Sequence, residues 1–122
     1  MCRLPAHEID DLKLSLSTRV AENFRDKREA TVELDDLAQI AAREGYIALC
    51  MRASQVCVDD NRERIRSARA TLESRDLTVS MVTGDFAIPE NSEQGPGALR
   101  NIEPYLDMAD DLGCDLLRIC MK

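Results

Sequence analysis

Residues 112–122 read "LGCDLLRICMK", and their reading decides the fold. Leu112-Gly113 has the form of a helix end, since glycine accepts the left-handed conformation that closes a helix. The apolar residues after it form a strand of the kind that enters a buried sheet. A parallel strand normally hands on to a crossover helix, yet the sequence reaches Lys122 with the strand still in pattern.

Working outward from that junction, the same unit recurs. "ELDDLAQIAAREG" sets Leu34, Leu37, Ile40 and Ala41 on one helical face with Gly45 as its stop, and "YIALCMR" follows as a strand. "DDNRERIRSARATLESRD" opens on an Asp60–Glu63 capping box, carries Ile65, Ala68 and Leu72 on one face, and precedes the strand "LTVSMVTGD". "GALRNIEPYLDMADDLG" spaces Leu99, Ile102, Leu106 and Ala109 helically before Gly113. Pro104 predicts either a kink or a regular helix that begins near Asn101, because an interior proline removes a hydrogen bond and clashes with the preceding turn. With "LKLSLST" at 12–18 as the first strand, the order is β-α-β-α-β-α-β, and strand starts near 12, 46, 77 and 114 recur at the spacing of one βα unit. Residues 1–11 read as an N-terminal extension.

The two faces of the strands separate the architectures that this order permits. One parity carries Leu12, Leu14, Leu16; Ile47, Leu49, Met51; Leu77, Val79, Met81; and Leu117, Ile119, Met121, an apolar face suited to a helix layer. The other carries Lys13, Ser15, Ser17; Ala48, Cys50, Arg52; Thr78, Ser80, Val82; and Leu116, Arg118, Cys120, Lys122, which is small, polar and cationic toward the strand ends. A doubly wound sheet covers both faces with helices and reads as continuous apolar runs. A barrel covers only the outer face and keeps its ligand site at the C-terminal mouth. The expected fold is therefore α/β, a parallel β-sheet forming half of a (β/α)8 TIM barrel over residues 12–122, the N-terminal half ending after its fourth strand.

Composition narrows the function. The net charge is −7, from 16 basic and 23 acidic residues, which opposes phosphate neutralisation and argues against a nucleic-acid partner. No apolar run approaches the ~20 residues of a membrane span, and "MCRLPAHEID" lacks the apolar core of a signal peptide, so a soluble, cytoplasmic protein with no membrane partner is expected. The five cysteines, Cys2, Cys50, Cys57, Cys114 and Cys120, include no CxxC pair, so neither a disulfide framework nor a zinc site is indicated. The single histidine, His7, precedes the first strand and reads as a solvent-exposed bystander rather than the partner of a nucleophilic thiol.

"GYIALCMRASQ", "LTVSMVTGDFAIPEN" and "ALRNIEPYLDMADDLGCDLLRICMK", with the pattern A..LG...LR before a strand, resemble the sugar phosphate isomerase/epimerase family of xylose isomerase-like TIM barrels. That resemblance implies a divalent metal (Mn, Mg, Co or Zn) held by two glutamates, an aspartate and a histidine on later strands, which polarises a hydroxy-carbonyl sugar during proton transfer. No residue of this sequence matches a ligand position, so the segment is expected to hold no metal and no catalytic acid or base. What the resemblance implies is one wall of a pocket for a sugar or sugar phosphate. Two other readings stand beside it: a non-catalytic half-barrel module that self-associates through its open sheet edges, and a fragment of an apurinic-site endonuclease-like barrel, which the acidic balance disfavours.

The candidate substrate-binding residues lie where strands end: Arg52, Ser54 and Gln55 after the second, Thr83 and Asp85 after the third, Arg118 and Lys122 on the fourth. Cations concentrated on one inner face of an acidic protein suit a phosphate or carboxylate. The plainer alternative is that Arg52 and Arg118 make structural ion pairs with neighbours such as Asp85 or Asp115. Gly84 reads as a backbone turn. "AIPENSEQGPG" (87–97) reads as a flexible rim loop or a lid over the site, and "DNRERIRSAR" as a solvated helix face.

Overall fold

Four short segments pair side by side, all parallel, in the order in which the chain supplies them. The computed structural model describes residues 12–88 and 102–121. Its strands are β1 (Ser15–Ser17), β2 (Ala48–Met51), β3 (Thr78–Ile88) and β4 (Leu117–Met121), joined by α1 (Leu34–Arg43), α2 (Arg62–Glu73) and α3 (Glu103–Asp111). The order β-α-β-α-β-α-β holds, in one α/β sheet with the connectivity of half a (β/α)8 barrel. None of the described helices is long and apolar enough to cross a membrane.

Each helix passes to its strand through the same hydrogen-bonded cap. Tyr46 N–H donates to Ala41 O at 2.9 Å, Leu77 to Leu72 at 2.9 Å and Cys114 to Ala109 at 2.8 Å, the long bond of the Schellman motif. The motif needs one left-handed residue. Gly45 (φ +87°) and Gly113 (φ +70°) serve at α1 and α3, and Asp76 (φ 57°) takes the role at α2, where no glycine is present. At the other ends two expectations are refined. The α2 cap is Asn61, whose side chain accepts from Arg64 N–H at 2.8 Å, while Asp60 accepts from Cys57 N–H at 2.8 Å and pairs with Arg64. Pro104 produces no kink, because α3 starts at Glu103 and places the proline in the first turn, where its missing N–H breaks no helical bond.

The core lies between the outer face of the sheet and the helices. Leu49, Met51, Val79 and Val82 meet Leu37, Ala38 and Ala41 of α1, Ile65, Ala68 and Leu72 of α2, and Met108, Ala109 and Leu112 at α3. One assignment by parity is overturned here. The β2–β3 register pairs Leu49 with Val79 but Cys50 with Met81 and Met51 with Val82, so one extra residue of β3 bulges at Ser80. The bulge turns Val82, 1% exposed, into the core and removes Met81 to the inner face.

The inner face is concave. Ser15 Oγ on β1 and Ser80 Oγ on β3 lie 2.6 Å apart, reaching across the intervening β2 over the small side chain of Ala48. Side chains two strands apart meet only where a sheet curves toward them, as barrel walls do.

On the helix layer, Asp111 is 7% exposed and accepts from Arg62 Nε and Nη2, both at 3.0 Å, and from Arg66 Nε at 3.3 Å. The hydrogen bonds from Arg62 first, then its charge and those of Arg66, hold the carboxyl below its usual range against the opposing effect of desolvation. A lowered folded-state pKa contributes stability that is present above the unfolded pKa and lost as the pH falls through the folded one. Asp111→Asn is therefore expected to lower the urea midpoint at neutral pH, with the gap to wild type closing as the pH falls below about 4. A gap independent of pH would show that the carboxylate charge contributes nothing.

Candidate functional site

In a parallel barrel wall the C-terminal strand ends converge on one mouth. Here β1 runs into a 3-10 turn at Thr18–Ala21, and the next residue, Glu22, sits in a bridge to Ala30. Thr31 clamps this loop, its N–H and its hydroxyl both donating to Ala21 O, at 2.6 and 3.0 Å. The Glu22 side chain, 6% exposed, accepts from Arg52 Nε at the end of β2, whose own side chain is 21% exposed. Arg52 thus makes an ion pair, and among the described residues its partner is Glu22.

The neighbouring candidates are also tied into the wall. Gln55 is 9% exposed and donates from Nε2 to Val32 O at 2.9 Å, which fastens the β2 loop to the segment before α1. Ser54 Oγ is buried and has no hydrogen-bond partner among the described residues, and the same is true of Thr18 Oγ1. A buried hydroxyl without a partner costs about 1–3 kcal/mol, so both mark places where the wall is not internally satisfied.

On the inner face, Thr83 is 7% exposed, lies 3.7 Å from Cys50 Sγ and pairs in register with Arg118 of β4. Arg118 is exposed and makes no ion pair with any described residue. Gly84 is not a turn; it continues β3 where the β3–β4 register slips between Thr83 and Ala87. Asp85 belongs to the same strand, and its side chain lies outside the described residues, as does Lys122. Of the loop 87–97, Ala87 and Ile88 extend β3, and the remainder lies outside the described residues.

The structure therefore assembles two pairs, Glu22 with Arg52 and Thr83 beside Arg118. Sequence reasoning missed Glu22. It examined the ends of the second, third and fourth strands, and the same argument applied to the first would have reached Glu22, five residues beyond Ser17. Among the described residues no three His, Cys, Asp or Glu side chains gather closely enough to hold a metal ion. The described residues thus offer no ligand set that fits the metal centre the resemblance implies.

No protein-family model matches the chain, and no curated protein matches it either. Its fold is similar to the crystal structure of the probable 3-DHS dehydratase AsbF involved in petrobactin synthesis from Bacillus anthracis, with a TM-score of 0.63 at 14% sequence identity. The likeness covers 88% of this chain and 38% of that one, so the chain spans well under half the length of the protein it resembles. At this identity the likeness shows the fold alone, part of a (β/α)8 barrel.

Proposed function

We propose that the chain forms the N-terminal wall of a substrate pocket in a metal-dependent sugar or sugar phosphate isomerase/epimerase, and supplies binding contacts rather than the metal or the proton-transfer groups. The observation that supports this reading most is Arg118, an exposed guanidinium on the concave face beside Thr83 with no described counter-charge. Arg52 neutralises Glu22 and is committed to the wall, which leaves Arg118 to meet an incoming anion. A guanidinium can hold a phosphate by two parallel N–H···O bonds, and Thr83 is the register partner of Arg118 on β3.

Calorimetric titration with a pentose 5-phosphate and with the free pentose tests the reading. The phosphorylated sugar is expected to bind more tightly, and Arg118→Ala to weaken it by roughly tenfold, the scale of one charge-assisted contact near solvent, while leaving any binding of the free sugar unchanged. Equal binding of the phosphate to wild type and Arg118→Ala would overturn it.

A further inference from the structure

Register places three of the candidate side chains on one level of the wall. Met51 pairs with Val82 and Val82 with Leu117, all packed into the core on the outer face. The next residue on each strand, Arg52, Thr83 and Arg118, therefore lies one step nearer the mouth and on the inner side. Thr83 and Arg118 are paired in that register, and Cys50, two residues before Arg52, has its Sγ beside the Thr83 hydroxyl.

Arg52 is fixed at this level through one atom. Its Nε donates to the Glu22 carboxylate, and its Nη1 and Nη2 groups have no partner among the described residues. The Glu22 side chain is 6% exposed and that of Arg52 21%, so Arg52 is the member of the pair that a ligand can reach. An arginine that serves structure alone tends to meet its carboxylate as a fork, by two parallel bonds, as Arg62 does with Asp111. Arg52 instead commits only the donor that sets the plane of the guanidinium and keeps both amino groups.

We infer that the amino edge of Arg52 holds a neutral oxygen of the substrate, a hydroxyl or the carbonyl of the sugar, with Glu22 as its positioning residue; this rests on the sugar phosphate reading above. Charge selects the atom. Glu22 cancels the charge of Arg52, so the pair offers directed N–H donors without the net charge that draws a phosphate, whereas Arg118 has no described counter-charge. Reach agrees, since β2 and β4 are two strand spacings apart, roughly 10 Å between backbones, a gap that two inward-leaning arginines and a phosphorylated pentose can span. Thr83 stands between them on β3.

Calorimetric titration of Arg52→Lys with a free pentose and with its 5-phosphate tests the inference. Lysine keeps a cation for the buried Glu22 carboxylate and loses the planar amino edge, so the urea midpoint is expected to stay near that of wild type. Both sugars are expected to bind about tenfold more weakly, the scale of one hydrogen bond from a charged donor. The double replacement Glu22→Leu with Arg52→Met, which leaves no charge stranded, is expected to show the same loss. Wild-type affinity for both sugars in these variants would overturn the inference and leave the pair purely structural. A loss confined to the phosphorylated sugar would overturn it as well, as the mark of a second phosphate contact. Failure of the sugar phosphate reading looks different: it is unchanged phosphate binding in Arg118→Ala, whereas the Arg52 contact is read on the free pentose.

Discussion

Val82→Asp is expected to leave the chain unfolded at room temperature, whereas Met81→Asp, one residue earlier, keeps it folded. The bulge at Ser80 is the reason. Val82 is 1% exposed among core residues of the outer face, and an aspartate there would be a buried charge with no partner, at a cost above about 4 kcal/mol. That consumes most of the stability of a domain this small. Met81 stands opposite Cys50 on the inner face and is only partly buried, so a carboxylate there keeps contact with water. Far-ultraviolet circular dichroism and urea titration of the two variants decide the matter. Met81→Asp unfolded and Val82→Asp folded would mean that β3 runs without a bulge.

The second large effect is expected at the Glu22–Arg52 pair. Arg52→Ala strands the Glu22 carboxylate in a site where its side chain is 6% exposed, and removing one partner of such a pair costs about 3 kcal/mol or more. Replacing both, as Glu22→Leu with Arg52→Met, leaves no charge behind and is expected to lose less than Arg52→Ala alone. Urea midpoints of the two variants measure the difference. An Arg52→Ala chain within about 0.5 kcal/mol of wild type, the ordinary range of surface substitutions, would show that the pair is a surface contact and would return Arg52 to the candidates for anion binding.

What could be read directly from the residues was whatever depends on near neighbours. Helical spacing in 34–43 and 62–73, the glycine stops at 45 and 113, and strand alternation in 48–51 are properties of a few consecutive residues. They were sufficient for the element order, and with the polar parity of the strands they indicated a barrel wall over a doubly wound sheet. The tertiary structure decided the rest, because those features depend on residues far apart in the chain. Val82 faces the core only because β3 must match the register of β2 and accommodates it with one extra residue. Arg52 is paired because the loop after β1, thirty residues earlier, folds back and delivers Glu22 to it. Ile40 and Leu106 have the periodicity of buried residues and are half exposed because burial also requires a neighbour on the far side, and at both ends of this sheet the described chain provides none. Periodicity says which face of an element is apolar; only the assembled sheet determines whether anything covers it.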